Sequence, residues 1–246
     1  MFLAFIMRSG DGEFNRLFTI PLFFYLYIME YSDLVYGNIT SDSVKFLNAD
    51  NVFTAFFDRY SNRSYPSYFD STEEISYMLK TIESYKQKKN WNKIKQFIEL
   101  CDGSLDETLQ IHLQKLGIPF DQKYIDKLVK IAQDFGGLIM QLKVHYQRPR
   151  PYQVAWYSKQ SLYPMTTFSG QSPAFPSGHA SQGRFLTKVI TEDHPQKRIE
   201  LSKLSEQISK SRVLMGVHYP SDNVFGEEIA CELFKEDSIQ EYLYNL

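Results

Sequence analysis

Residues 211–222 read SRVLMGVHYPSD and mark the end of one predicted helix and the start of the next. The segment brings together Arg212, His218 and Asp222, whose side chains suit chemistry on an anion. A histidine that attacks phosphorus must keep one ring nitrogen unprotonated, so its other nitrogen needs a fixed acceptor. Asp222 is the candidate acceptor for His218. Because Pro220 lacks an N–H and favours extended geometry in the residue before it, we expect this contact to cross a turn.

A second segment, residues 176–179, reads PSGH and begins 35 residues before the first. Ser177 can cap a helix whose first turn contains Gly178 and His179. The free N–H groups and the positive dipole end of a helix start favour an anion. The sequence therefore predicts a helix start that can hold a negatively charged group.

A third segment, residues 143–151, reads KVHYQRPRP and supplies two further cations. Lys143 lies near the end of a predicted helix, and Pro149 is expected to end that helix and leave Arg150 on an extended arm. A planar guanidinium can bind two phosphate oxygens at once. Taken singly, basic residues near a helix end are most often solvated. This segment therefore indicates an anion site only in combination with residues 176–179 and 211–222.

The order and spacing of the three segments match a known signature: Lys, six residues, Arg-Pro; then Pro-Ser-Gly-His; then Ser-Arg, five residues, His, three residues, Asp. The chain resembles the type 2 phosphatidic acid phosphatase superfamily, which includes bacterial non-specific acid phosphatases and vanadium-dependent haloperoxidases. The resemblance covers roughly residues 143–226, including Gly226. Asn223 stands where the family commonly has an aliphatic residue, a departure that concerns helix packing and not the chemistry.

The resemblance implies a role for each residue of the signature. It implies that His218 is the nucleophile, that Asp222 is its partner and that His179 protonates the leaving oxygen. It further implies that the phosphoryl oxygens are bound by Lys143, Arg150, Ser177, Gly178 and Arg212. The implied activity is that of a phosphoric monoester hydrolase that works through a phosphohistidine, on a small phosphorylated substrate, with lipid phosphates and diphosphates included.

Two alternatives to a phosphatase stay open at this point. Cations that hold phosphate also hold vanadate, so the signature by itself does not exclude a vanadium-dependent haloperoxidase, although those enzymes are generally much longer. The other alternative is a non-catalytic phosphate-binding helical protein. We expect no cofactor, with vanadate or phosphate able to occupy the site. We also expect no catalytic metal, because His112, His145 and His194 have no carboxylate cluster beside them in the sequence.

Length and composition narrow the class of protein further. The chain has 246 residues, 43% of them hydrophobic, which is enough for one full core. A net charge of −2 argues against nucleic acid as a partner, because no basic surplus is present to neutralise a phosphate backbone. The two cysteines give neither a disulfide framework nor a metal-ligand spacing.

Hydropathy gives an expectation about the membrane. The most apolar stretch, residues 17–29, falls short of the roughly 20 residues that span a bilayer, and the mean hydropathy is −0.35. We therefore expect no transmembrane segment, and without a recognisable signal peptide we expect a cytoplasmic protein. A helix is predicted over residues 14–30, packed on the core or, as an alternative that stays open, lying on a membrane surface as a peripheral contact.

Hydrophobic periodicity predicts an all-α protein, a single-domain helical bundle whose helix ends assemble the site. Residues 1–70 are expected to form a helical and loop extension packed on the core, and residues 71–246 the helical phosphatase core. Capping-box patterns predict helix starts at Ser71 with Glu74 and at Ser104 with Glu107. The strongest helix is predicted to begin after Asp121, with an apolar stripe that ends beside Lys143, and Gly136-Gly137 within it predicts close contact or a kink.

Two further expectations concern the flanks of the signature. Residues 152–175 lack either period and are predicted to form a loop over the pocket. The hypothesis is that Tyr152, Trp156, Tyr157 or Phe168 in this loop shapes substrate choice. The last helix is predicted to follow Asp222 with Val224 facing inward.

Overall fold

The computed structural model describes residues 36, 47–66, 68–167 and 169–246, without the side chains of residues 68 and 69. The regular structure in these ranges is helical, so the prediction of an all-α fold is confirmed. No helix within them is both long enough and apolar enough to cross a membrane. The helix predicted over residues 14–30 and the candidate loop residue Phe168 lie outside the described residues.

The α-helices, numbered in chain order, are α1 (Phe57–Ser61), α2 (Tyr68–Lys86), α3 (Trp91–Cys101), α4 (Leu105–Leu116), α5 (Gln122–Tyr146), α6 (Pro151–Tyr157), α7 (Gly178–Asp193), α8 (Arg198–Leu214), α9 (Pro220–Leu233) and α10 (Asp237–Tyr244). Short 3₁₀ turns at Thr54–Phe56 and Pro195–Lys197 precede α1 and α8. Helix α7 packs against α5, α8 and α9 and so lies at the centre of the described fold.

Helix α5 begins at the residue, and buries the face, that its sequence predicts. The Asp121 carboxylate accepts a hydrogen bond from the Tyr124 N–H at 2.8 Å, which caps the helix start. The whole apolar stripe is buried, and Phe135 stacks on Phe53 with ring centroids 5.3 Å apart. A Cβ added to Gly137 would lie 2.8 Å from Ala49 Cβ, so the close contact expected at the glycine pair is made with the segment before α1.

The two capping-box predictions have different outcomes. The prediction at Ser71 is wrong, because α2 already begins at Tyr68 and Ser71 lies inside the helix. Helix α4 does begin after Ser104, but the Ser104 hydroxyl donates to the Asp106 carboxylate at 2.7 Å and caps no backbone N–H. Both errors share a cause, since serine side chains that suit a cap also suit other polar partners. Helix α4 ends as expected at Gly117, which has a φ of 65°.

A close contact between the starts of α7 and α9 sets the geometry of the candidate site. The Ser177 N–H donates to the Asp222 carbonyl at 3.0 Å. A Cβ added to Gly226 would lie 2.8 Å from the Ser177 carbonyl oxygen, so only glycine allows the two helices to approach this closely. Asn223 joins α9 to α8, because its side-chain amide donates to the Ser209 carbonyl at 2.7 Å.

Two sequence expectations about the flanks need correction. The predicted loop over residues 152–175 is wrong at its start, where helix α6 forms because Arg150 has the extended geometry of an N-cap, Pro151 takes the first helical position and the Gln153 side chain accepts from the Arg150 N–H at 2.7 Å. The described residues between Tyr157 and Gly178 contain neither helix nor strand, as expected for a loop. Val224 is 57% exposed and does not face inward. The apolar stripe of α9 depends on which neighbours cover it, and that cannot be read from spacing alone.

Candidate active site

The candidate site is built around His218, in the turn between α8 and α9. Its Nδ1 lies 3.1 Å from Asp222 Oδ2, and that oxygen also accepts the Tyr219 N–H at 2.9 Å. The imidazole is almost fully buried. Because a carboxylate can only accept, the contact assigns the ring proton to Nδ1 and leaves the lone pair on Nε2. The predicted contact between His218 and Asp222 is present and does cross the turn.

The second oxygen of Asp222 is held by Arg148, which the sequence reasoning missed. Arg148 Nη1 donates to Asp222 Oδ1 at 2.5 Å, and Nη2 donates to Ser71 Oγ at 3.0 Å and to Glu74 Oε1 at 3.2 Å. Glu74 in turn accepts the Ser221 N–H at 2.8 Å. A chain of buried polar contacts thus runs from α2 through Arg148 to the carboxylate that orients His218.

Arg150 lies on the opposite side of the His218 ring. Its Nη1 is 2.9 Å from His218 Nε2 and donates to the Val217 carbonyl at 2.7 Å. Its Nε donates to the Ser172 carbonyl at 2.8 Å. The guanidinium is 1% exposed and is held by backbone oxygens from two separate segments. This places a fixed cation beside the ring nitrogen that carries the lone pair.

Lys143, near the end of α5, lies close to the same group of cations. Its Nζ donates to the Pro173 carbonyl at 2.6 Å and is buried. Burial lowers the pKa of Lys143 well below its usual range, and the charge of Arg150 adds to the shift. The buried end of α5 therefore brings a second cation to the site, as the apolar stripe of the helix predicted.

Arg212 is fully buried and reaches the site from the end of α8. Its Nη2 donates to Asp102 Oδ1 at 3.0 Å and to Ser169 Oγ at 2.9 Å. Its Nε and Nη1 have no hydrogen-bond partner among the described residues. Asp102 also accepts from the Thr167 hydroxyl at 2.9 Å, so one carboxylate joins Arg212 to the loop before α7.

The start of α7 faces the same region. The Ser177 hydroxyl accepts from the Ala180 N–H at 3.4 Å, and Gly178 and His179 occupy the first helical turn. The N–H groups of a first turn have no acceptor inside the helix. Ser177 therefore occupies the cap position that the sequence predicted. The N–H groups of Gly178 and His179 lie at the positive end of the helix dipole and have no acceptor inside the helix.

Both signature histidines are held neutral by their surroundings. Burial lowers the pKa of His218 well below its usual range, and the charges of Arg150 and Lys143 add to the effect. Desolvation also lowers the pKa of His179, and Arg212 adds to that shift. Burial raises the pKa of Asp222, whereas Arg148 opposes that change. A ring flanked by so many cations is a poor proton acceptor until an anion enters the site.

The three segments converge on one cavity of about 630 Å³. The signature residues that line it are Lys143, Arg150, Gly178, His179 and His218. Ser177, Arg212 and Asp222 are each fully buried next to them and are absent from the lining. Distant parts of the chain thus meet at the same cavity, although the signature alone gave only their order and spacing.

The loop over residues 169–173 is the other contribution that the sequence did not reveal. Its carbonyl oxygens accept from Arg150 and from Lys143. Backbone oxygens are present at every residue, so no residue type could have signalled this role. Arg148 did carry a signal, since it lies two residues before Arg150 in a basic segment, but spacing did not distinguish it from a solvated cation.

In the part of the chain that the structure describes, no group of three or more His, Cys, Asp or Glu side chains is arranged to hold a metal ion. The prediction that catalysis needs no metal or cofactor stays a prediction.

The helical fold, with two histidines and three buried cations around one cavity, defines an all-α protein with a candidate phosphate site. Residues 129–231 match the family model described as PAP2 superfamily. The resemblance to the type 2 phosphatidic acid phosphatase superfamily that the signature predicts is confirmed by this match. The match contains every residue of the signature.

Sequence comparison finds relatives among bacterial phosphatases. The chain is 28% identical over 133 residues to a non-specific acid phosphatase of Salmonella typhimurium, covering 52% of this chain and 53% of the relative. It is 26% identical over 133 residues to a non-specific acid phosphatase of Salmonella typhi, with the same coverage. The chain thus spans about half the length of the curated relatives that it matches.

Structural comparison gives a helical neighbour. The crystal structure of a transmembrane PAP2 type phosphatidylglycerolphosphate phosphatase from Bacillus subtilis matches with a TM-score of 0.50 and 16% identity. The match covers 84% of this chain and 98% of that one. At this level of identity the likeness concerns the fold, and it supports the all-α bundle predicted from the sequence.

Proposed function

We propose that this chain is a phosphomonoester hydrolase that works through a phosphohistidine on His218. The observation that carries the proposal is the position of the His218 ring between two charged groups. Its Nδ1 faces Asp222 at 3.1 Å, and its Nε2 faces Arg150 at 2.9 Å. This arrangement keeps a lone pair on the nitrogen that borders the cation cluster, as nucleophilic attack requires.

In the proposed first step, Nε2 of His218 attacks phosphorus and the bond from phosphorus to the ester oxygen breaks. Asp222 stabilises the positive charge that develops on the ring, because it stays bonded to the Nδ1 proton. Arg150 already lies within hydrogen-bond distance of the attacking nitrogen, so its guanidinium is placed to bind an oxygen of the group under attack.

The other cations would stabilise the charge on the equatorial oxygens, and such electrostatic stabilisation usually contributes most of the rate enhancement in phosphoryl transfer. Lys143 and Arg150 line the cavity, and Arg212 keeps two nitrogens without a partner among the described residues. The free amides at the start of α7 can donate to the same anion. A phosphoryl group bound there would satisfy buried donors that otherwise cost free energy.

His179 is the proposed acid. It lines the cavity with His218 and has no hydrogen-bond partner for its ring among the described residues, so the ring is free to contact a substrate. A dianionic substrate raises the pKa of a nearby histidine, which lets His179 bind a proton and pass it to the departing alkoxide. In the second step His179 takes a proton from water, the water oxygen attacks phosphorus, and the bond from phosphorus to His218 breaks.

The test is to trap the covalent intermediate. We expect rapid mixing with a chromogenic phosphomonoester, followed by alkaline quench and mass spectrometry, to find a phosphate on His218. His218→Ala should remove this phosphoenzyme and lower kcat by at least about a thousandfold.

His194→Ala is the matched control, because His194 follows the opposite end of α7 from His179. It should keep both the intermediate and the rate. Phosphorylation of another residue, or a His218→Ala protein with near normal turnover, would contradict the proposal. Halide oxidation with peroxide and vanadate in a protein without hydrolase activity would instead support the haloperoxidase alternative.

A further inference from the structure

His112 is a buried histidine that the proposed mechanism does not use. It lies on α4, is 6% exposed and lines the same cavity of about 630 Å³ as the two signature histidines. Its Nε2 is buried and has no hydrogen-bond partner among the described residues. A buried polar atom without a partner costs free energy. Such an atom on a residue of the cavity wall points to a ligand that supplies the missing hydrogen bond.

The position of His112 on α4 separates it from the phosphate end of the cavity. Asp102, three residues before α4 begins at Leu105, accepts from Arg212 at 3.0 Å, so the start of α4 adjoins the cation cluster. His112 follows Leu105 by seven residues, which corresponds to about 10 Å along the helix axis. A ligand group that contacts His112 must therefore lie several bonds away from the phosphoryl group.

His112 lies among groups that offer a ligand little hydrogen bonding. Leu109 and Leu113, on the same face of α4, also line the cavity. The hydroxyl of Thr108, another lining residue, donates its proton to the Leu100 carbonyl at 2.8 Å. A ligand group that enters here thus meets apolar side chains and one buried ring nitrogen whose hydrogen-bonding capacity is not used.

The charge state of His112 decides which chemical group suits it. Burial lowers the pKa of His112 to about 4, and the charge of Lys115 adds to the shift, so the ring is neutral at neutral pH. A neutral imidazole has one donor and one acceptor nitrogen, and the tautomer decides which of the two Nε2 is. A hydroxyl fits both tautomers, because it can accept and donate. A charged group would lose its hydration among the apolar neighbours without an opposite charge on the ring to replace it.

Resting on the proposed function, we infer that His112 is a specificity-determining residue that binds a hydroxyl group on the alcohol part of the substrate through Nε2. The substrate class is then a phosphomonoester of an alcohol that carries a second hydroxyl several bonds from the ester oxygen, on a chain or on a ring. A ligand with this hydroxyl replaces the hydrogen bond that it loses from water. A ligand without it leaves the buried nitrogen unpaired, which is the condition under which a site discriminates strongly.

Paired phosphonates test the contact without turnover, since carbon replaces the ester oxygen. Each pair consists of an ω-hydroxyalkylphosphonate and the alkylphosphonate in which a methyl group replaces the hydroxyl, with linkers from ethyl to octyl. Isothermal titration should show no preference for the hydroxyl at the shortest linkers. At the linker length that reaches His112, the hydroxyl compound should bind more tightly than its partner by about tenfold or more. Excess inorganic phosphate should displace both compounds, which separates binding in the cavity from adsorption elsewhere.

Three variants test whether His112 is the residue responsible. His112→Phe keeps an aromatic ring against Phe97, whose centroid lies 5.5 Å from that of His112, and removes both ring nitrogens. It should reduce the preference for the hydroxyl by at least about tenfold and leave the affinity for inorganic phosphate unchanged. His112→Gln places an amide nitrogen near the position of Nε2 and should retain part of the preference. His194→Phe makes the same substitution at a histidine outside the cavity lining and should leave both properties unaltered.

The outcomes separate the two proposals. If the wild-type protein showed no hydroxyl preference at any length, while phosphate still displaced the phosphonates, the role of His112 would be overturned and the phosphatase proposal would stand. A hydroxyl preference that persists in His112→Phe would also overturn it. If neither phosphate nor any phosphonate bound, both proposals would fail.

Discussion

Arg148 and Asp222 form an ion pair in which neither side chain is exposed to solvent, with 2.5 Å between Nη1 and Oδ1. The pair ties the end of α5 to the start of α9. Since the other carboxylate oxygen contacts His218, the pair also determines how the candidate nucleophile is oriented. Arg148 lies against the Tyr219 ring as well, with 3.8 Å between the guanidinium carbon and the ring centroid.

Removing Arg148 should therefore affect stability as well as activity. Arg148→Met leaves a buried carboxylate without its partner, which typically costs about 3–5 kcal/mol, and we expect this loss in the free energy of unfolding measured with urea. Arg59→Met removes one partner of the half-exposed Arg59–Glu236 pair and should cost less than about 1 kcal/mol. Equal losses in the two variants would contradict a special role for the buried pair.

The pKa shifts predict how activity depends on pH. Attack requires neutral His218 and proton donation requires protonated His179, and the pKa of each is lowered in the free site. The fraction of His179 that is protonated in the free protein thus falls as pH rises towards neutrality. We expect kcat/KM to follow a bell-shaped curve with an acidic optimum.

The curve for kcat should be displaced to higher pH, because the bound dianion raises the pKa of both histidines. Initial rates at saturating and limiting substrate over a range of pH give both curves. Coincident curves, or an alkaline optimum for kcat/KM, would count against the proposed acid.

The lowered pKa of the buried His112 should make the folded protein less stable in acid. Its pKa is about 4 in the folded protein and about 6.5 unfolded, so protons favour the unfolded chain as pH falls from about 6.5 to 4. Integrated from pH 7 to pH 5, this one residue should cost about 2 kcal/mol. Urea unfolding of His112→Leu at both pH values should show a pH difference smaller by that amount. An unchanged pH difference would exclude His112 as a source of acid sensitivity.

Gly226→Ala should change the geometry of the candidate site, although Gly226 does not line the cavity. The added Cβ would meet the Ser177 carbonyl oxygen at 2.8 Å, so the starts of α7 and α9 must separate. We expect a loss of about 1–3 kcal/mol in the free energy of unfolding and weaker binding of inorganic phosphate. Glu228→Ala changes an exposed position of the same helix and serves as the control. Normal phosphate affinity in Gly226→Ala would show that the site tolerates the separation.

Sequence patterns predicted the helices best where the signal is local. Asp121 caps α5 and Gly117 ends α4, because both effects depend on one residue and its immediate neighbours. The same reasoning failed at Ser71, whose hydroxyl accepts from Arg148, 77 positions away. A local pattern cannot distinguish a serine that caps a helix from one that binds a distant side chain.

By itself, the sequence determined the all-α class, the likeness of residues 129–231 to the PAP2 superfamily and which signature residues the fold brings together, because these depend on residue type and spacing. Only the tertiary structure decided which groups hold those side chains in place. Arg148, Asp102 and the carbonyls of residues 169–173 act across long sequence separations, and backbone oxygens carry no residue-type signal. The cavity is likewise a property of packing, since side chains of α4, α5, α7 and α8 line it together and no single segment specifies its volume.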